Sequence, residues 1–252
     1  MSRKGYKEPE IYSKSKTVSK IRIFYWLYFL NPYINVLKGR KGRILDIGCA
    51  GGQVTRTLAR ELPSFKFFGI DINKKAIKHT KSISMDIIYI LSDARSVPFK
   101  NNYFDSVYSI EVLEHTDNPG KILKEVNRVL KKGGIFYLTT SLEGEPKNLY
   151  YRLNKKLGFN AHEEMFGHVQ HFSLIALESL LRNSGFKIIT QKYTYHYINQ
   201  IYRFVSTKYL EKFLPSFFVK ILNFVFSFIT GFESFILRNS VGLDIQVICL
   251  KS

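Results

Sequence analysis

The chain of 252 residues is long enough to bury one full α/β core with about 50 residues left for additions. Its two cysteines, Cys49 and Cys249, exclude a disulfide framework or a cysteine-rich zinc cluster and suit a reducing, cytoplasmic setting. Lys and Arg number 38 against 20 Asp and Glu, a formal net charge of +18. The excess sits at the ends: residues 1–43 carry 11 basic and 2 acidic groups, and residues 187–252 carry 8 and 3. Such polarity favours an anionic surface, either lipid headgroups or nucleic acid, as a partner of the ends.

The first apolar run, Ile21 to Leu30, follows a basic start but lacks the small-residue cleavage site of a secretory leader. Ile21, Phe24, Tyr25, Tyr28 and Phe29 fall at helical spacing, so an amphipathic helix ending near Asn31-Pro32 is expected, within a basic helical cap over residues 1–40. Next comes Arg43-Ile44-Leu45-Asp46-Ile47-Gly48-Cys49-Ala50-Gly51-Gly52, a short buried strand entering a glycine-rich turn and then a helix over about 53–61. Glycine serves where the backbone takes positive φ or lies against a ligand, and the free N–H groups of a helix start attract electron-rich partners. The turn therefore suits a small molecule. With Ala50 at the third position the spacing is Gly-x-x-Gly-Gly, not the Gly-x-Gly-x-x-Gly of a pyrophosphate cradle. Asp46, two residues ahead, suits an ammonium-bearing ligand better than a diphosphate.

Three further apolar runs end in polar groups. Phe65 to Asp71 places a carboxylate about 20 residues past the glycines, where doubly wound folds hold a ribose. Ile87 to Leu91 is closed by Ser92-Asp93-Ala94, and Phe104 to Ile110 by Glu111-Val112-Leu113-Glu114-His115. Helices are expected at about 73–82 and 118–130 between them, the latter opening on Asp117-Asn118-Pro119 and stopping at Lys131-Lys132-Gly133-Gly134. Ile135 to Thr140 follows as a fifth strand. Strand and helix thus alternate as a parallel sheet requires.

Beyond residue 140 the pattern weakens, with Tyr150, Tyr151, Phe159, His162, Glu163, Glu164, His168 and His171 before a periodic helix (Leu174, Leu177, Leu180, Leu181) and a sixth strand at Gly185 to Ile189. Asp244 to Leu250 reads as a seventh strand. Between them lies an apolar stretch, 197–242, whose heart from Phe213 to Phe232 is about long enough to span a bilayer. Pro215, Lys220 and Asn223 interrupt it, and one crossing would part the last strand from its sheet. An interfacial helical hairpin on an anionic membrane surface is one reading; a lid or an oligomer interface packed on protein is the other.

Together these landmarks resemble the class I S-adenosylmethionine (SAM) methyltransferases, in particular the domain of ubiquinone-type and other small-molecule enzymes. The resemblance is carried by Asp46 to Gly52, by the acids Asp71 and Asp93, and by the segment 105–140. It implies SAM as cofactor and a Rossmann-like seven-stranded α/β sheet, mostly parallel, whose last strand returns antiparallel beside the sixth. It implies a SAM-binding core over 41–196, the helical insertion at 197–242 and the final strand at 243–252. By resemblance, Asp46, Gly48, Cys49, Ala50, Gly51 and Gly52 form the cofactor turn, and Asp71 meets the ribose hydroxyls. Ile72 covers the adenine, Asp93 accepts from its amino group, the Ala94 N–H reaches the ring, and Ile110 with Glu111 forms the fourth motif.

Methyl transfer needs alignment of an acceptor and, for a hydroxyl, a general base. His115, His168 and His171 are the candidates, since imidazole titrates in the useful range. His168 and His171 with Glu163 or Glu164 have no further ligand spacing to support a metal, so none is assigned. The expected function is methyl transfer to a small-molecule acceptor, at an oxygen of a lipid-linked, quinone-like or glycan intermediate near a membrane, on its cytoplasmic face. The alternatives are a nucleic-acid methyltransferase and a non-catalytic SAM-binding, membrane-associated protein. Against the former, Ser109-Ile110-Glu111-Val112 replaces the Asn- or Asp-Pro-Pro-aromatic run of base-amino enzymes, and no RNA-binding module flanks the core. The oligomeric state is left open.

Overall fold

The computed structural model describes residues 30–83, 86–157, 167–205, 215–237 and 239–252. The expected amphipathic helix over Ile21 to Phe29 lies outside them, as do Phe159, His162, Glu163, Glu164 and Phe213. At Asn31-Pro32 a described helix begins, α1 (Asn31–Leu37), because proline in a first turn sacrifices an N–H that has no intrahelical partner anyway.

Seven strands form one sheet: β1 (Gly42–Ile47), β2 (Phe65–Asp71), β3 (Ile88–Leu91), β4 (Phe104–Ile110), β5 (Leu130–Ser141), β6 (Phe186–Thr194) and β7 (Asp244–Lys251). Their order across the sheet is β3-β2-β1-β4-β5-β7-β6. The β1–β2, β1–β4, β2–β3 and β4–β5 pairs are parallel, and β7 runs antiparallel between β5 and β6. The doubly wound architecture is therefore as expected. β5 starts earlier than expected, at Leu130, since that residue pairs with Phe104 and the ladder then shifts register before Ser106–Ile135. Gly133, at φ +69, allows that irregular entry, so Lys131 to Gly134 belong to a strand and not to a helix cap.

Each crossover helix follows the sequence period: α2 (Gln53–Glu61), α3 (Lys74–Ile83), α4 (Pro119–Val129) and α6 (Leu174–Asn183). Asn118 and Ser173 cap α4 and α6 by accepting the Lys121 and Ala176 N–H groups, as side-chain oxygens at an N-cap do. Alternation along the strands sorts the core into two layers. Leu45, Ile47, Phe68, Val107 and Phe136 meet Ile122, Val126 and Leu177 of α4 and α6 on one face. Ile44, Phe67, Tyr108 and Tyr137 meet Tyr33, Leu37, Leu58 and Ile77 of α1, α2 and α3 on the other. Tyr33 stacks on Tyr137 with centroids 5.0 Å apart and shares a 2.7 Å hydrogen bond with the Ser106 hydroxyl.

The segment between β5 and α6 contains α5 (Leu149–Leu157), and the insertion contains α7 (Tyr197–Val205) and α8 (Ser216–Ile236). Glu233 of α8 accepts the Ile198 N–H at 2.8 Å, and Gln200 of α7 accepts the Tyr150 N–H at 2.9 Å. The first joins α8 to α7 within the insertion, and the second ties the insertion to α5. On α8, Thr230, Gly231, Glu233 and Ser234 are buried while Val225, Phe228, Ile229, Phe232, Phe235 and Ile236 are exposed. The outward face is thus the apolar one, the reverse of a water-facing helix. Among the described residues no helix is long and apolar enough to cross a membrane.

Candidate active site

The carboxyl ends of β1, β2, β3 and β4 lie along one edge of the sheet, and the loops that leave them carry the polar groups singled out above. At a switch point of this kind, where β1 sends α2 to one side and its neighbours lead away, ligands settle in the crevice. After Ile47 the chain turns through Gly48 (φ +76), Ala50 (φ +43) and Gly52 (φ +69). Gly48 and Cys49 both donate their N–H to the Ile70 carbonyl at 2.9 Å, and a Cβ on Gly52 would lie 2.6 Å from the Tyr89 hydroxyl. The turn is thereby pressed against β2 and β3. α2 then starts without a side-chain cap and without an acid in its first turn, a helix start of the kind that suits an electron-rich ligand.

Asp71 accepts the Ala50 N–H at 2.8 Å and the Asn73 N–H at 2.7 Å, joining the end of β2 to the glycine turn. Burial raises its carboxyl above the usual range against those hydrogen bonds. Ile72 beside it is 67% exposed, an apolar surface facing out of the sheet edge. Asp93 takes a different environment: the Arg95 guanidinium grips it at 2.7 Å and its N–H at 2.8 Å, which holds its carboxyl below the ordinary value. Ala94 follows, partly buried against the core. The loop is pinned by Arg128, which donates to the Phe99 and Val97 carbonyls. Asp46 is buried, and its Oδ2 accepts the hydroxyls of Thr55 at 2.6 Å and Tyr108 at 2.7 Å. It clamps β1 to α2 and β4, and burial pushes its carboxyl up to about 7. Cys49 is buried and its thiol is pushed up by burial, so it is an inert part of the turn. Ile110 packs beside the core.

The second half of the site begins at Glu111, whose φ of +53 is rare for a residue with a Cβ. Its Oε1 accepts the Thr139 hydroxyl at 3.0 Å. Val112 leads into a 3₁₀ turn, Leu113–His115, that tucks Glu114 fully inside. Glu114 Oε2 accepts the Thr140 hydroxyl at 2.8 Å, while Oε1 receives no hydrogen bond among the described residues. Burial, then the adjoining Glu111 carboxyl, drives Glu114 well above the usual carboxylate range.

Residues 167–172 cross this turn: the Val169 and Gln170 N–H groups donate to the Glu114 carbonyl, and the Gly144 N–H donates to the Phe172 carbonyl. Gly144 is required there because a Cβ would strike the His171 carbonyl oxygen. His168 is thus brought edge-on to His115, with ring centroids 4.7 Å apart. Burial and then the neighbouring His168 lower the His115 imidazole below its ordinary value. Glu143, one of whose oxygens also accepts the Ser141 hydroxyl at 3.2 Å, bridges the two remaining candidates. Its oxygens lie 2.5 Å from His168 Nδ1 and 2.9 Å from His171 Nδ1. With Nδ1 of each ring donating, the carboxylate sets both tautomers and both ring planes.

The structure therefore gathers His115, His168 and His171 in one cluster at the ends of β4 and β5, beside the glycine turn and its acids. Glu114, Glu143, Thr139 and Thr140 were not singled out from the sequence. Glu143 carried a usable signal, an acid just past a strand's carboxyl end, the same position that marks Asp71 and Asp93.

Comparison with known proteins agrees with this layout. Residues 45–138 match the family model described as a methyltransferase domain. The chain is 35% identical over 102 residues to a ubiquinone biosynthesis O-methyltransferase of Caulobacter vibrioides, covering 38% of this chain and 40% of the relative. It is 29% identical over 148 residues to the human mitochondrial arginine-hydroxylase NDUFAF5, covering 58% and 42%. It is 33% identical over 123 residues to a sterol methyltransferase-like protein of Botryococcus braunii, covering 45% and 31%. The chain spans less than half the length of these relatives. Among solved structures, the PH0226 protein of Pyrococcus horikoshii superposes with a TM-score of 0.62 at 18% identity, covering 98% of this chain and all of that one. A SAM-dependent methyltransferase of Mesorhizobium loti gives 0.58 at 16%, covering 90% and 97%.

SAM fits the residues present: an uncapped helix start and a left-handed turn suit its methionine end, and the Asp71 carboxylate is fixed by two amides where a ribose would lie. Motif order, sheet order and the match over 45–138 agree: residues 45–138 form a methyltransferase domain of the SAM-dependent type, set in a Rossmann-like seven-stranded sheet.

Proposed function

We propose that this chain moves the methyl group of SAM to an oxygen of a small acceptor that is lipid-linked, quinone-like or a membrane-borne glycan intermediate. The observation that carries the oxygen reading is the cluster of Glu111, Glu114, His115, Glu143, His168 and His171, with Glu114, Glu143 and His168 buried at its centre. A hydroxyl must lose its proton to become a strong nucleophile, and imidazoles oriented by carboxylates serve that need.

When bound, SAM supplies a sulfonium-activated methyl, so the protein's own work is placement. Asp71 and the Gly48–Gly52 turn hold one reactant. Glu143 fixes His168 and His171, and the Thr139 and Thr140 hydroxyls hold Glu111 and Glu114, so that the acceptor oxygen meets a preorganised surface.

The membrane part rests on α8. Its exposed stripe recurs at 225, 228, 229, 232, 235 and 236, the period of one helix face, and the basic excess of residues 187–252 complements an anionic headgroup layer. Relatives are named for ubiquinone biosynthesis and for sterol methylation. We read the enzyme as peripheral on the cytoplasmic face of a membrane.

The test is incubation with methyl-labelled SAM and fractionated host extract. Label in the lipid fraction is the expected result. Label in nucleic acid or protein overturns the acceptor class, and SAM binding with no labelled product from any fraction overturns turnover itself. For the membrane part, Phe228, Phe232 and Phe235 are replaced together by Ser, and partitioning onto anionic phosphatidylglycerol vesicles is compared. Equal partitioning of variant and parent overturns it.

A further inference from the structure

We propose that Glu114, His115 and His168, with Glu111 alongside, form a binding site for one divalent metal cation at the acceptor end of the site. One ligand atom from each of Glu114, His115 and His168 lies within 4.8 Å of the others. Ligands that share a cation at about 2.1 Å stand at most about 4.2 Å apart, so a small inward movement of the rings closes the site. Two imidazoles and two carboxylates are a donor set for a first-row divalent ion.

Three features beyond proximity point to a cation. First, Glu114 is fully buried and its Oε1 has no hydrogen-bond donor among the described residues, which is costly for a carboxylate unless a positive charge meets it. Second, Glu111 stands against Glu114, and the backbone at Glu111 takes φ +53 to put it there. The two carboxyls share a hydrogen bond, so one keeps its proton unless a counter-charge is present; a divalent cation takes the place of that proton and lets both ionise. Third, the surroundings are those of ligating groups. Thr140 donates to the other oxygen of Glu114, and Glu143 takes His168 Nδ1, which directs His168 Nε2 away from Glu143 in the carboxylate–histidine–metal arrangement.

The site differs from the combination considered from the sequence, which joined His168 and His171 to Glu163 or Glu164 and led to no metal being assigned. His171 binds Glu143, as His168 does, but is not among the three grouped ligand atoms; we place it as a positioning residue. If the proposed function holds, a cation here would take the acceptor oxygen as a further ligand and lower its pKa; His115 and His168 would then serve as ligands in place of bases, and the hydroxyl proton leaves to water. Cation binding itself does not depend on that reading.

The test uses the full chain, stripped with chelator and titrated with Mn²⁺ while the electron paramagnetic resonance signal of free Mn²⁺ is followed, with Zn²⁺ as competitor. SAM binding is measured by calorimetry on the same samples. Expected is one equivalent of Mn²⁺, with affinity lowered at least about tenfold in both Glu114→Gln and His168→Gln and by less than about threefold in His171→Gln. Since Glu114→Gln changes a fully buried group, His168→Gln carries the result should that variant fail to fold. No binding of Mn²⁺ or Zn²⁺ at millimolar concentration, with SAM uptake intact, overturns the metal site and leaves the methyltransferase reading standing. Equal weakening by His168→Gln and His171→Gln also overturns it. Loss of SAM uptake by the parent chain instead strikes the cofactor reading.

Discussion

Replacing Glu143 by Gln isolates the group that bridges His168 and His171. Its side chain is 3% exposed and receives His168 Nδ1 at 2.5 Å and His171 Nδ1 at 2.9 Å. Glutamine keeps the shape but offers one acceptor oxygen and one donor NH₂. One of the two imidazoles then faces a donor and must change tautomer or turn. A hydrogen bond to a charged group contributes about 1.5–3 kcal/mol, and each 1.4 kcal/mol is a factor of ten, so the loss of one such contact predicts a fall in kcat of roughly 10- to 150-fold. The assay is transfer of label from methyl-labelled SAM to the fraction that accepts it, with SAM affinity from calorimetry and thermal unfolding measured in parallel. SAM affinity is expected within about twofold of the parent, because Glu143 lies past β5 and touches none of the cofactor turn. Transfer within threefold of the parent, with the variant folded, refutes the assignment of Glu143 as a positioning residue.

Other consequences follow from the same geometry. Asp71→Asn removes one acceptor from the pair of amides at Ala50 and Asn73, and SAM affinity should fall about tenfold or more by calorimetry; unchanged affinity would remove Asp71 from the cofactor site. Asp46, raised to about 7 in the fold against about 4 in the open chain, stays protonated at pH values where the unfolded carboxyl ionises. Its contribution to stability is therefore full below about pH 4, declines as pH rises, and is lost as the pH passes about 7. Urea unfolding of the parent and of Asp46→Asn between pH 5 and 8 should show the parent losing ground relative to the variant. Tyr33→Ala empties a space between Tyr108 and Tyr137 and should cost about 3–5 kcal/mol by urea titration. Gly144→Ala forces a Cβ onto the His171 carbonyl and should lower methyl transfer while SAM binding persists.

Much of this molecule was legible without coordinates because its signals are local. A buried apolar run, a glycine turn and a helix start within ten residues of one another define the β1–α2 unit wherever the rest of the chain lies. Asp71 and Asp93 were legible by position, each following a strand that a parallel sheet must end on the same edge. The entry to β5 was not, since Lys131 to Gly134 carry every mark of a helix stop, and only pairing with β4 draws them into a strand. Nor was the start of α1 at Asn31-Pro32, because proline both ends helices and begins them. Asp46 was placed beside the cofactor by its distance from the glycines; its Thr55 and Tyr108 partners, 9 and 62 residues away, give it a structural clamp.

The amino-acid sequence alone determined the cofactor half: the alternation of strand and helix, the turn, the acids past the strands and the family they imply. That determination works because each of these features is written in residues that are neighbours along the chain. Tertiary structure alone decided the acceptor half. Glu111, Glu114 and His115 meet Glu143, His168 and His171 only because the return of the chain over Gly144 folds residues 167–172 across the 3₁₀ turn. No local pattern encodes contacts between groups 25 to 53 residues apart, and it is there that the three histidines, scattered in sequence, become one site.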